Sequence, residues 1–549
     1  MEAIRKTLRD SVPMRWFMLV MISMLMLSTY WFQDFFGGLK GLMESEMGFT
    51  SEEFGRLIGL TTIANIFGMI IVGGVVLDKW GIRRAGLIFG ALATLGASIT
   101  AMAAYGIFGE NHKVQLTMMI LGRVLFGSGL EVTCVVATRT TVKWFKGYEL
   151  ALAMAINMGF GRLGSAMGLA LSIDIGHGSV PPAVAFAATL IGLSLIIFLI
   201  YMFFDYSLDK QDKAILAESG GAEEEEEFKF ADLIELIKNR SFMFIALLCV
   251  SFYSAVFPFI QYAPDLLVNK FGFSYDLPSS SDYFALFGNQ SLGNVAIYLG
   301  LFVFGLAFSM IPSKFKNLGQ KITSLLLIGV LFVLFIKGLW GTLSVWLQNG
   351  PKTASLIPMG TILFTPIFGG YVDRKGKAAS LMILGSILLI FAHISLSLFN
   401  SEVLGYFGLL SLGVAFSLIP AAMWPSVAKI VKESRLGTAY ASMFTIQNWG
   451  LLFFFWGIGA VLDLVNPSVV SRIESIRSSL EAQGLSTSDI SLRIQEMKLA
   501  GEIEPYNYTW PIFMLVILGV ISIFLAFQLK KADAKQKFGL ELPTGQKPE

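Results

Sequence analysis

Long apolar runs separated by short polar connections set the pattern of the chain. A helical membrane span needs about 20 mostly apolar residues, because each rises about 1.5 Å across a hydrocarbon layer of about 30 Å. Runs of that length fall at residues 16–37, 54–77, 85–105, 116–138, 149–173 and 184–204. A second series falls at 241–262, 292–311, 322–347, 353–372, 378–399, 403–427, 437–464 and 510–529. Over such lengths in lipid only helices satisfy the backbone. The pattern therefore predicts an all-α membrane protein with about 14 transmembrane helices.

Charge then orients the spans. Arg5, Lys6, Arg9 and Arg15 precede the first run, and Lys79, Arg83, Arg84, Arg139, Lys143 and Lys146 fill the second and fourth connections. The first connection carries Glu44, Glu46, Glu52 and Glu53 against Lys40. Lys and Arg collect in cytoplasmic loops, so both termini are expected in the cytoplasm. Residues 205–240, with the acidic block 223–227, read as a cytoplasmic linker between two bundles. The expected organisation is a bundle over 1–204, this linker, a second bundle over 241–530 and a cytoplasmic tail over 531–549. An outer loop over 465–508 has an amphipathic stretch at 469–480, and sequons at Asn289 and Asn507 also fall outside.

Composition agrees, with 55% hydrophobic and 15% charged residues, where a soluble protein carries about 25% charged ones. Cys134 and Cys249 lie inside apolar runs and imply no disulfide framework. No phosphate-binding glycine loop, metal-ligand spacing or nucleophile motif stands in the chain, so no enzyme, cofactor, metal site or nucleic-acid partner is expected.

One motif carries more. Gly74, Asp78, Lys79, Gly81, Arg83 and Arg84 follow the second span at the spacing G-x-x-x-D-[RK]-x-G-x-[RK]-[RK]. The pattern returns as Gly369, Asp373, Arg374, Gly376 and Lys377. It resembles the loop signature of the major facilitator superfamily. That resemblance implies a major facilitator fold of two pseudo-symmetric six-helix bundles working by alternating access, with Asp78, Lys79, Arg83, Arg84, Asp373 and Arg374 as gating residues. A carboxylate at a helix N-terminus and cations facing the neighbouring helix would form a latch that breaks on each cycle. Counting back from Asp373 leaves 292–347 as an inserted two-helix hairpin, whose tip carries Lys314, Lys316 and Lys321. A partner subunit could sit on it; otherwise the chain is expected as a monomer in the bilayer.

Charges at membrane depth default to functional hypotheses. Glu131 and Arg162 lie near the middles of the fourth and fifth spans. A carboxylate and a guanidinium facing one cavity suit a zwitterion, the first taking an ammonium and the second a carboxylate through parallel hydrogen bonds. A structural ion pair tying the two helices is the alternative. Tyr30, Asp34, Asn157, Tyr253, Gln447 and Asn448 complete the candidate binding set, though polar groups on apolar helices also serve as helix glue. Arg123 reads as structural or gating, and His393 as a packing residue. If Arg162 keeps Glu131 ionised, Glu131 is a poor proton carrier, which favours facilitated diffusion over proton symport.

Further runs, at 126–131, 144–151, 157–165, 252–259, 424–427, 436–440 and 446–448, resemble the branch that includes the lysosomal dipeptide transporter of animals and its bacterial relatives. In that branch a glutamate and an arginine on the fourth and fifth helices hold the two ends of a short peptide, which implies those roles for Glu131 and Arg162. Leu130 and Val132 depart from the branch's usual surroundings of that glutamate. No acidic dileucine sorting signal stands in residues 1–16, so a bacterial cytoplasmic membrane is expected. The function implied is secondary active or facilitative transport of a small zwitterion such as a dipeptide. The alternatives are proton-coupled transport of another small organic solute, drug efflux through an apolar cavity, and a transport-dead membrane receptor or scaffold.

Overall fold

The computed structural model describes residues 7–109, 111–145, 147–219, 235–275, 283–432, 435–543 and 546; the acidic block 223–227 and Lys146 lie outside them. The first half runs as α1 Val12–Leu42, α2 Ser51–Gly59, α3 Ile63–Ile66, α4 Met69–Ala104, α5 His112–Phe145, α6 Leu150–Gly176 and α7 Val180–Ser219. The second half has α8 Arg240–Phe271, α9 Gln290–Met310, α10 Leu318–Gly338, α11 Trp340–Trp346, α12 Gly350–Ala354 and α13 Leu356–Lys375. It continues with α14 Ala378–Leu398, α15 Glu402–Ile430, α16 Leu436–Val465, α17 Pro467–Ala482, α18 Thr487–Leu499 and α19 Thr509–Gln536.

The two halves pack alike. In the first, α4 lies on α5 and α7, and α1 on α6 and α7. In the second, α14 lies on α15 and α19, and α8 on α16 and α19. Each contact of one half has its counterpart six spans later, which is the pseudo-symmetry expected of duplicated bundles.

Two details correct the predicted spans. Residues 54–77 do not form a straight helix. They bend by 53° between Ile66 and Met69, where Gly68 takes a left-handed conformation (φ 84°) open to glycine. Gly81 (φ 76°) likewise breaks α4, separating the second span from the third. The second hairpin helix ends at Gly338, not 347, so Lys337 lies exposed in its last turn, where it can snorkel and meets the negative end of the helix dipole. By length and hydropathy alone, twelve described helices are apolar enough to cross a membrane, thirteen with the bent pair. The remaining predicted span, α6, is 27 residues long, but Asn157, Arg162 and its glycines dilute its apolar character.

The hairpin lies against the seam between the halves. α9 packs on both α6 and α13, with the Phe302 ring edge-on to Phe160 at 5.3 Å. α10 leans chiefly on α9 and exposes Leu326, Leu327, Val330, Leu331, Val333 and Leu334, as a lipid-facing helix does. At one end of the molecule, α17 and α18 form a cap, burying Val469, Ile473 and Ile476 at helical spacing, with Ile490 and Ile494. This is the cap end; the opposite face, which carries the start of α1 and the end of α19, is the tail end.

Candidate functional site

The site is built where α1, α5 and α6 meet. A side-chain carbon at Gly164 would stand 2.1 Å from the Leu27 carbonyl oxygen, so only glycine lets α6 approach α1 this closely. One turn away, the Tyr30 ring lies 3.0 Å from where a Cβ on Gly161 would be. Tyr30 thereby sits beside Arg162, and its hydroxyl is within electrostatic reach of Glu131, Cys134, Arg162 and Asp34. Glu131 is partly exposed between buried Leu130 and Val132, and Arg162 is partly exposed beside buried Leu163. Both thus open inward from otherwise packed helices.

No hydrogen bond or ion pair joins Glu131 to Arg162 among the described residues, and neither has another hydrogen-bonding side chain as partner. Arg162 instead lies over a ring of the other half: its guanidinium carbon is 4.5 Å from the centroid of Phe416 on α15. Phe416 belongs to an aromatic cluster. Phe257 and Tyr253 meet it edge-on at 5.4 and 6.5 Å, and stack on each other at 5.4 Å. Trp424 donates its indole N–H to the Tyr253 hydroxyl at 3.0 Å and stacks on Phe444. The Arg162 guanidinium, without an acidic partner among the described residues, thus faces an aromatic wall.

The other expected residues divide. Tyr253 lies in that wall. Asp34 is buried, accepting from Gln261 of α8 at 2.8 Å and from the Ser165 hydroxyl, so it spans the seam between halves. Asn157 faces helix α1, its Oδ1 accepting from Ser23 at 3.1 Å. Gln447 accepts a weak bond from the Cys249 thiol at 3.4 Å, and Asn448 donates to the Phe444 carbonyl at 2.8 Å. The bonds of Asn157 and Gln447 join neighbouring helices, whereas that of Asn448 stays within α16. Arg123 is fully buried, donating to the Phe32 carbonyl at 2.8 Å among the rings of Phe32, Phe36 and Phe126, an anchoring role. His393 is buried with Nδ1 on the Leu389 carbonyl.

Of the expected latch cations, Arg83 turns onto its own half, where Lys143 joins it. Arg83 pairs with Asp205 at 2.9 Å and Asp209 at 2.6 Å, and Lys143 with the same two at 2.7 and 2.6 Å. Lys79, Arg84 and Arg374 are exposed. Asp373 is exposed but not without partners, and the side chain of Asp78 lies outside the described ones. Near the repeat motif, Lys429 donates to the Gly539 and Leu542 carbonyls at 3.1 and 2.7 Å, and Glu541 accepts from Ser380, so the tail stays on the second half.

The halves are joined at the cap end by groups that the pattern of spans did not single out. Lys40 of α1 pairs with Asp265 of α8 at 2.7 Å, both buried. Asp265 also accepts from Asn269 at 3.1 Å and from Tyr275 and Tyr508. Lys352 pairs with Asp174 at 2.8 Å. Asp463, closing α16, accepts from the backbone N–H groups of Ser51 and Glu52 at 3.1 and 2.7 Å, at the positive end of α2. The cap adds Arg477, donating to the carbonyls of Glu44 and Ser45 at 2.8 and 2.6 Å, and Lys498 with Tyr506 on the Glu44 carboxylate.

No cluster of three or more metal-ligating side chains occurs among the described residues. Comparison with known proteins gives one family. The model of the Major Facilitator Superfamily matches residues 16–350. The chain is 25% identical over 461 residues to the lysosomal dipeptide transporter MFSD1 of Danio rerio, covering 81% of this chain and 80% of that protein. The human protein of the same name is 25% identical over 463 residues, covering 82% and 80%. A solved bacterial homolog of the human lysosomal transporter Spinster, inward-facing and unoccupied, superposes with TM-score 0.57 at 12% identity, covering 96% of this chain and 98% of that one.

Proposed function

Because the chain belongs to the Major Facilitator Superfamily, we propose that it carries a small zwitterion, a short peptide such as a dipeptide, across the membrane by alternating access. The observation that carries this reading is the unpaired state of Glu131 and Arg162. A structural ion pair would close on itself to offset the cost of burying two charges. Here the guanidinium carbon lies 4.5 Å from the Phe416 ring centroid, with no side chain among the described residues hydrogen-bonded to its N–H groups, and the carboxylate is likewise without a hydrogen-bonded partner among them. A guanidinium edge takes a substrate carboxylate by two parallel bonds, and a carboxylate takes an ammonium. The dipeptide transporters of the MFSD1 type, to which the chain is 25% identical, support a dipeptide as the zwitterion.

In this reading the tail end faces the cytoplasm, since Lys and Arg collect there. With the halves clamped at the cap end, the site opens toward the cytoplasm. Closing that side would bring Asp78, Lys79, Arg84, Asp373 and Arg374 toward the facing half. Since no ion pair holds Glu131 ionised, the expected ground for facilitated diffusion loses its premise, and proton symport stands beside it as a mode.

Proteoliposomes containing the protein should take up labelled dipeptides with both ends free, and take up N-acetylated or C-amidated forms poorly. Uptake of uncharged sugars or hydrophobic drugs in place of peptides would refute the reading.

A further inference from the structure

Arg162 carries its charge on a long side chain with many rotamers, and no hydrogen bond fixes it. What fixes it is a ring. We propose that Phe416 is a positioning residue for substrate recognition: by holding the face of the Arg162 guanidinium, it aims the N–H edge at the carboxylate end of the ligand. The proposal rests on the reading above and deepens it.

The geometry supports the role in three steps. The guanidinium carbon lies 4.5 Å from the Phe416 centroid, inside the range in which the ring's negative face attracts a cation. A guanidinium held over a ring by its face keeps its in-plane N–H donors available, as bidentate carboxylate binding requires. Phe416 is itself held. Phe257 and Tyr253 meet it at 84° and 86°, and Trp424 ties the Tyr253 hydroxyl by a hydrogen bond of 3.0 Å. The chain Trp424–Tyr253–Phe416–Arg162 therefore transmits the rigidity of the second half to a side chain of the first. Since Arg162 is on α6 and Phe416 on α15, the carboxylate subsite is complete only while the two halves approach each other at this depth.

The test compares binding of alanyl-alanine and its C-terminal amide to wild type, F416L, F416M, F416Y, R162K and the F416L/R162K double variant. Wild type should prefer the free carboxylate. F416L or F416M should cut that preference about 3- to 10-fold, the size of one partly desolvated cation–π contact, with melting temperature near wild type. F416Y, which keeps the ring face, should retain it. F416L should have no further effect in the R162K background. If R162K cuts the preference but F416L and F416M leave it intact, Phe416 does not position Arg162, and the zwitterion site survives. If R162K itself leaves the preference unchanged, the carboxylate subsite falls and this inference falls with it.

Discussion

At the cap end the charges cross from one half to the other; at the tail end the ion pairs of Arg83, Lys143 and Lys429's strand of contacts stay within one half. Lys40–Asp265, Lys352–Asp174 and Asp463 on α2 each tie two bodies together. Arg83 and Lys143 converge on Asp205 and Asp209 of the same half. Both ends are rich in polar groups, so the amount of charge does not decide which end is shut. What decides it is whether partners lie on the same side of the seam. A cross-seam pair must break for that face to open, whereas a same-side pair travels with its half and costs nothing during the motion.

Breaking the buried pair should have the largest effect. Lys40→Ala or Asp265→Ala leaves one uncompensated buried charge, which costs about 3–5 kcal/mol. Thermal unfolding should show this loss for each single change. The double change Lys40→Met with Asp265→Leu should recover part of it, since apolar replacement of both partners removes the uncompensated charge while Tyr275 and Tyr508 lose an acceptor. Recovery failing in the double variant would mean that the site needs the charges for more than their mutual pairing.

A smaller effect is expected from the helix end. Asp463→Asn removes a charged acceptor from the start of α2 and should weaken cap-end closure by about 1 kcal/mol. A reporter cysteine at Ile58, fully buried beside α16, in a background without Cys134 and Cys249, should then label faster from the cap end. Arg477→Ala should act in the same direction. By contrast, Arg83→Ala should leave that labelling rate unchanged, because its partners lie on its own half; an increase as large as that of Asp463→Asn would erase the contrast between the two ends.

The smallest effect lies at the tail end. The Tyr148 hydroxyl donates to Asp10, and this bond holds the Asp10 carboxyl below its ordinary value. A depressed carboxyl stabilises the fold above the ordinary carboxylate range and loses that contribution as pH falls through its lowered value. Tyr148→Phe should therefore lower stability slightly at neutral pH and narrow its difference from wild type in acid. A difference that grows in acid would contradict the assignment.

Much of this was legible in the residues. Runs of about 20 apolar residues locate most spans because lipid leaves the backbone no other option. The duplicated motif at Asp78 and Asp373 identifies the paired architecture. The bend near Gly68 was not legible, since Gly68 is one of five glycines in residues 54–77 and nothing in the run marks which takes a left-handed turn. Leu339 ends α10 without a proline or glycine cap, and so the hairpin helix was read too long. Glu131 and Arg162 stand out as charges in apolar helices. Phe416 does not, because a phenylalanine among apolar neighbours looks the same whether it faces lipid, core or a guanidinium. Lys40 and Asp265 sit near helix ends, where a charge is unremarkable until tertiary packing buries it.

The central claim is that Glu131 and Arg162 each answer to one end of a zwitterion, and reciprocal selectivity tests it most directly. Binding of a free, an N-acetylated and a C-amidated dipeptide is measured for wild type, Glu131→Gln and Arg162→Lys, with melting temperatures alongside. Glu131→Gln should lose preference for the free amino end, and Arg162→Lys for the free carboxylate, each by about 1.5–3 kcal/mol, the range for hydrogen bonds to charged groups. Stable, folded variants whose ranking of the three ligands matches wild type would contradict the account.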